Sequence, residues 1–261
     1  MPETIRIETD DRGVATLWLA RADTHNALSS EMIGEITAAA AALGADGDVR
    51  VVVLAAEGVS FCAGGDLGWM KAQMAADAET RAGEARRLAA MLRALNELPK
   101  PLIARVHGNA FGGGVGMVSV CDVAVGAEGL KMGLTEVRLG LIPATIGPYV
   151  VARMGEARAR RVFFSGRLFG AEEAVELGLL AKAVPEADLD AAVEAEVAPY
   201  LAAAPGAVAA AKALVRDLGP RIDDAVIDGT IAALVRTWEG KEAPEGIAAF
   251  FDKRKANWAR Q

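Results

Sequence analysis

Along "IRIETDDRGVATLWLA" apolar and polar residues alternate with a period of two on either side of "DDRG". That spacing, with its β-branched residues, predicts two strands joined by a turn. In "LSSEMIGEITAAAAAL" the period changes, and apolar residues recur at helical spacing with Ser29 or Ser30 placed to cap the N-terminus. "VRVVVLAA" is almost entirely apolar and predicts a short strand covered on both faces. A glycine-containing loop, "EGVSFCAGGDLGWM", follows it. A long amphipathic helix is expected over residues 77–98, ended by "LPKP" because proline cannot continue a helix. "LIARVHG" is a further buried strand, three glycines then open an apolar helix, and "DVAVGA" returns to strand.

The recurring order of strand, loop and helix predicts an α/β core. From about Gly155 the pattern turns helical: "AEEAVELGLL", "LDAAVEAEVAPYLAAAPGAVAAAKALVRDL" and "EGIAAFFDKRKANW" carry little strand signal. No linker rich in Ser, Pro or Gly separates the two parts, so one folding unit with a helical extension is expected.

Composition narrows the function classes. The 261 residues are 52% hydrophobic and 24% charged, the balance of a folded soluble protein. A net charge of −7 disfavours a nucleic-acid backbone as partner, although an anionic small ligand needs only a local basic patch. The two cysteines, Cys62 and Cys121, lie in apolar surroundings without C-x-x-C metal spacing, so reduced core thiols and no metal site are expected. "MPETIRIETDDRG" has no apolar signal core, and no apolar run reaches membrane-helix length. The expected compartment is the cytoplasm, with no membrane partner.

The candidate chemistry lies in two glycine loops. "FCAGGDL" follows one predicted buried strand and "FGGGVGM" follows another. The first turn of a helix has backbone N–H groups without partners inside it. Two such turns side by side could aim two N–H groups at one oxygen and form an oxyanion hole. Ordinary strand-to-helix turns would look the same in either loop alone. There is no G-x-G-x-x-G fingerprint, no phosphate-binding Gly-Lys-Ser/Thr and no G-x-S-x-G elbow. Only His25 and His107 could serve a nucleophilic triad, and nothing marks either.

Taken in order, "RADTHNAL", "FCAGGDL", "HGNAFGGGVGM", "CDVAVGA", "LTEVRLGLIP" and "EGIAAFFDKR" resemble the crotonase (enoyl-CoA hydratase/isomerase) superfamily over almost the whole chain. "TEVRLGLIPATIGPYV" and "KRKANW" look most similar to bacterial methylglutaconyl-CoA hydratase-like members of leucine and acyclic terpene breakdown. The resemblance implies a ββα spiral core over residues 1–195. It also implies a helical C-terminal region over residues 196–261 that builds a homotrimer or a dimer of trimers. It implies an acyl-CoA thioester substrate, with coenzyme A as part of that substrate and no separate cofactor.

By motif position, the oxyanion donors implied are the N–H groups of Gly65 and Gly113. Family hydratases commonly carry two glutamates, one of them two residues after the triple glycine. Here that position is Gly116, so one acid is missing, and Glu136 in "LTEVRLGLIP" is the implied acid/base. Ala27, Ala63, Gly65, Asp66, Leu67 and Lys253 are the implied substrate and CoA contacts. Arg138 is a candidate for a distal substrate carboxylate. Glu79 and Glu84 could reach a substrate tail, and Trp69 and Met70 could wall the pocket. The leading expectation is an enoyl-CoA hydratase acting on a branched substrate such as 3-methylglutaconyl-CoA. A Δ3,Δ2-enoyl-CoA isomerase using the single Glu136, or a catalytically silent acyl-CoA-binding protein, are the alternatives.

Overall fold

A computed structural model describes residues 3–260. Six strands form the larger sheet in the order β1 (Ile5–Thr9), β2 (Val14–Leu19), β3 (Val51–Ala56), β5 (Leu102–Val106), β7 (Val123–Ala127), β10 (Lys182–Val184). Only the β1–β2 hairpin is antiparallel. Four three-residue strands form the smaller sheet in the order β4 (Ser60–Cys62), β6 (Asn109–Phe111), β8 (Lys131–Gly133), β9 (Leu168–Gly170). In it β4, β6 and β8 are parallel neighbours, and β9 closes the edge antiparallel to β8.

The helices are α1 (Ser30–Ala45), α2 (Leu67–Ala75), α3 (Ala78–Asn96), α4 (Gly113–Val120), α5 (Gly147–Met154), α6 (Glu156–Ala159) and α7 (Ala171–Glu176). They continue with α8 (Leu189–Leu201), α9 (Pro205–Leu218), α10 (Asp224–Trp238) and α11 (Glu242–Phe251). Ser29 caps α1 by accepting the Met32 N–H, and Asp77 caps α3 by accepting from Thr80.

The chain advances in repeats. β3, β5 and β7 each pass into a short strand, β4, β6 and β8 respectively, and the first two then enter α2 and α4. The carboxyl ends of three parallel short strands therefore lie side by side, the usual place for a ligand beside a parallel sheet. The all-apolar sequence of β3 has its physical reason here. Val52 and Leu54 face the main core with α1, α3 and α4, while Val51 and Val53 face Leu189, Val193 and Val197 of α8.

The structure departs from the pattern-based expectation at short elements. Residues 57–70 hold β4 and the start of α2 rather than loop alone, and the region after Gly155 contributes β9 and β10. Three residues are too few to show a period of two. Both cysteines are buried free thiols, and burial pushes each up to about 12. Among the described residues no single helix is long and apolar enough to cross a membrane.

Candidate active site

Past β4 the chain turns through Ala63, Gly64 and Gly65 into α2. Asp66 caps that helix, accepting from the N–H groups of Gly68 at 2.8 Å and Trp69 at 3.1 Å. Leu28 and Gly65 form a parallel bridge. Its bonds run from the Leu28 N–H to the Gly64 carbonyl (2.7 Å) and from the Asp66 N–H to the Leu28 carbonyl (3.0 Å). In such a bridge the N–H of Gly65 itself faces the other way, and Gly65 is exposed.

The second loop is packed onto the first. A Cβ on Gly64 would stand 3.3 Å from the Phe111 carbonyl oxygen, and one on Gly113 would stand 2.5 Å from Leu28 Cδ1. Gly112 has φ +47°, so it can turn the chain where a side chain would strain it. Gly113 is the first residue of α4, where an N–H has no partner within the helix. Neither the Gly65 N–H nor the Gly113 N–H has an acceptor among the described residues. Two unused backbone donors thus flank Leu28.

Past β8, a single turn of 3-10 helix spans Glu136–Leu139. Its first residue brings a carboxyl to the loops: Glu136 Oε1 lies 3.0 Å from where a Cβ on Gly112 would be. Oε2 is buried with no hydrogen-bond partner. Burial pushes this carboxyl from its ordinary 4.5 up to about 7, opposed only by its own backbone N–H. A group poised there suits proton transfer near neutral pH.

Gly116 is one turn further along α4, on a face with no free space. A Cβ there would meet Ile146 Cγ2 at 2.5 Å and Leu92 Cδ2 at 3.6 Å. The position of the missing acid is therefore filled by an apolar wall, and Glu136 has no carboxylate opposite it from that helix.

Asp66 is engaged structurally. Burial works against its charge, but the Trp69 N–H, Arg21 and the Gly68 N–H outweigh it and hold the carboxyl below the usual range. Arg21 also donates to the Ala27 carbonyl at 2.5 Å and to Asp66 Oδ2 at 3.0 Å, so it ties the two ends of the first loop together. Sequence reasoning missed Arg21, although it opens the "RADTHNAL" motif. Ala27 is buried, while Ala63 and Leu67 are exposed on the rim.

Trp69 packs its ring 3.6 Å from the Cβ position of Gly65. Its indole N–H donates to Glu84 at 2.9 Å, and Glu84 also accepts from Ser30 and Arg87. Glu84 is thereby committed to α1 and α2 rather than free for a substrate tail. Met70 is buried beneath the helix. The structure brings Gly65, Gly113 and Glu136 together through Leu28 and Gly112. It makes no such link for Arg138 or Lys253. Arg138 is exposed with its stem against Gly166, and Lys253 stands on an exposed turn past α11 at φ +52°. Neither has an ion-pair partner among the described residues. Cavity size does not locate the site, since neither a cavity of about 1150 Å³ between β9 and α7 nor one of about 1010 Å³ beside α9 is lined by any of the three residues.

Residues 9–261 match the family described as enoyl-CoA hydratase/isomerase. An enoyl-CoA hydratase structure from Mycobacterium avium is 32% identical, with 99% of this chain and 100% of that one covered at a TM-score of 0.86. One from Shewanella pealeana is 35% identical, with 99% and 97% covered at a TM-score of 0.81. A third, from Mycobacterium smegmatis, is 35% identical, with 98% of each covered at a TM-score of 0.79. The chain belongs to the enoyl-CoA hydratase/isomerase family and has the crotonase fold. An acyl-CoA substrate is consistent with that membership.

Proposed function

We propose that the protein is an enoyl-CoA hydratase that adds water across the 2,3 double bond of a branched 2-enoyl-CoA. The observation that carries this reading is the buried, unpartnered Oε2 of Glu136 beside two unused backbone donors. The thioester oxygen accepts from the N–H groups of Gly65 and Gly113. Ionised Glu136 takes a proton from water as the hydroxyl oxygen bonds to Cβ. The double-bond electron pair moves towards the thioester, and negative charge collects on the held oxygen. Protonated Glu136 then gives its proton to Cα, and the thioester carbonyl and the carboxylate are restored. One carboxyl suffices because it ends each cycle as it began.

The handle of the substrate is assigned to the first glycine loop and its neighbours, Ala27, Ala63, Gly65, Asp66 and Leu67, with Lys253 towards the nucleotide phosphates. Arg138, two residues past Glu136 and without an ion-pair partner among the described residues, is the candidate for a distal carboxylate such as that of 3-methylglutaconyl-CoA. The C-terminal region 196–261 is assigned to trimer formation. Its α9 buries none of its residues and exposes Leu214, Val215 and Leu218. Such a stripe favours a protein partner over water.

One observation favours a second reading. The wall of Ile146 and Leu92 at Gly116 offers no polar group to hold a water, and a Δ3,Δ2-isomerase needs none. There, Glu136 would move one proton from Cα to the γ carbon. Incubation with 3-methylglutaconyl-CoA, crotonyl-CoA and a 3-enoyl-CoA separates the two. A hydratase adds water to a 2-enoyl substrate in this panel. Conversion of the 3-enoyl substrate alone would assign the isomerase instead.

A further inference from the structure

The turn that carries Glu136 is not held by its own hydrogen bonds alone. A Cβ on Gly140 would meet the Glu242 carbonyl carbon at 2.5 Å and the Ala243 nitrogen at 2.7 Å. A Cβ on Gly246 would meet the Leu139 carbonyl carbon at 2.5 Å and its oxygen at 2.6 Å. The first turn and a half of α11 therefore lies backbone against backbone on residues 139–140. Gly140 has φ +69° and ends the 3-10 turn. Gly246, by contrast, lies inside a helix, where glycine is less favourable than alanine. Its place is explained by the close approach, which no larger residue permits.

Around this seat Leu141, Trp238, Ala243 and Ile247 form a small buried cluster with Leu139 against it. The far end of α11 reaches α2: Lys71 Nζ lies 4.9 Å from the centre of the Phe251 ring. α2 starts beside Gly65. The tail beyond α11 folds back as well, since Arg254 holds Glu245 with bonds of 2.7 and 2.9 Å and the Asn257 N–H donates to the same carboxylate.

We infer that α11 is a positioning strut, seated through Gly246 on the Glu136 turn and through Phe251 on α2, that sets where the carboxyl stands relative to the oxyanion donors. Gly246 and Gly140 are positioning residues; they do not touch the reacting atoms. The inference rests on the reading of Glu136 as the acid/base group.

The test is Gly246→Ala in the full-length protein, with kcat, KM and the pH profile measured on the 2-enoyl-CoA that the substrate panel identifies. The new methyl pushes α11 off the turn. A misplacement of about 1 Å in a reacting group costs on the order of 10²-fold in rate. The expected result is a kcat loss of that order with KM unchanged. The pH limb set by Glu136 should move below 7, because water gains access to the carboxyl. A folded Gly246→Ala protein with wild-type kcat and an unmoved limb would overturn the strut. Should that variant not fold, Ile247→Val trims one methyl from the same seat. A severalfold kcat loss with the same shift of the limb supports the strut, and wild-type values overturn it. Glu136→Gln separates the two claims. Full activity in Glu136→Gln removes the acid/base reading, whereas an inactive Glu136→Gln beside a wild-type-like Gly246→Ala removes only the strut.

Discussion

The two sides of the site are built on opposite principles. On the Gly65 side nearly every polar group is taken. Asp66 caps α2 and pairs with Arg21, Arg21 bonds the Ala27 carbonyl, and buried Asn26 donates to the Glu57 and Ser60 carbonyls. What remains free there is a backbone N–H that cannot rotate. On the Glu136 side the reverse holds, and a buried carboxyl oxygen is left without any partner. In the proposed reaction the first arrangement would supply a fixed dipole for the charge that develops on the thioester oxygen. The second would keep a proton acceptor poised by denying it stabilisation. A saturated network and an unsatisfied one would thus serve different needs of one reaction.

The sharpest way to break the contrast is Glu136→Gln, which keeps shape and removes the titratable carboxyl. General acid–base catalysis contributes on the order of 10²–10⁴ in rate, and a kcat loss in that range is expected in a steady-state assay. Next comes Gly113→Pro in a Leu28→Ala background. Proline is tolerated at the first position of a helix, so the change removes the donor without interrupting α4. The paired substitution opens the 2.5 Å approach of Leu28. Loss of one oxyanion donor is expected to lower kcat by on the order of 10²–10³ relative to Leu28→Ala alone.

The unsatisfied side also has a cost in stability. The folded carboxyl titrates at about 7 against an ordinary 4.5, a difference worth about 3 kcal/mol against the charged form. Below 4.5 the group is neutral in both folded and unfolded chains, and its stability contribution is fully present. As pH rises to 7 the unfolded chain ionises first, and the contribution is lost. Glu136→Gln should therefore be more stable than wild type by about 3 kcal/mol at pH 8 and nearly equal at pH 4. Urea melts at the two pH values check this.

Gly116→Glu tests the apolar wall. Overpacking costs about 1–3 kcal/mol, and the new carboxyl would have to displace Ile146. The expectation is a lower Tm with no gain in hydration, and partial recovery of Tm with Ile146→Ala. On the saturated side, Asp66→Ala loses a helix cap and an ion-pair partner. It should cost about 1 kcal/mol by denaturant melt, with a smaller effect on kcat than any change at Glu136 or Gly113.

Much of this was legible in the chain. The long buried strands, α1 and its cap, α3 ending before "LPKP", and the two glycine loops all follow from period, caps and breakers. The order of motifs identified the family. Beyond that, local pattern is silent. The strands β4, β6 and β8 that align the three site residues are three residues each, too short for periodicity. Gly116 announces a missing acid, but that Ile146 fills the place depends on a contact across the fold. The Arg21–Asp66 pair joins residues 45 positions apart. The seating of α11 on residues 139–140 is a backbone contact, which side-chain pattern does not encode.

In the proposed reaction a single carboxyl, that of Glu136 with its buried and unpartnered Oε2, carries the proton chemistry. The most direct measurement is the pH dependence of kcat/KM from pH 5 to 9 for wild type and Glu136→Gln on the same 2-enoyl-CoA. The wild-type rate should rise with pH through a single limb near 7, and the residual Glu136→Gln rate should lack that limb. A limb near 7 that persists in Glu136→Gln would contradict it, because the titrating group would then lie elsewhere.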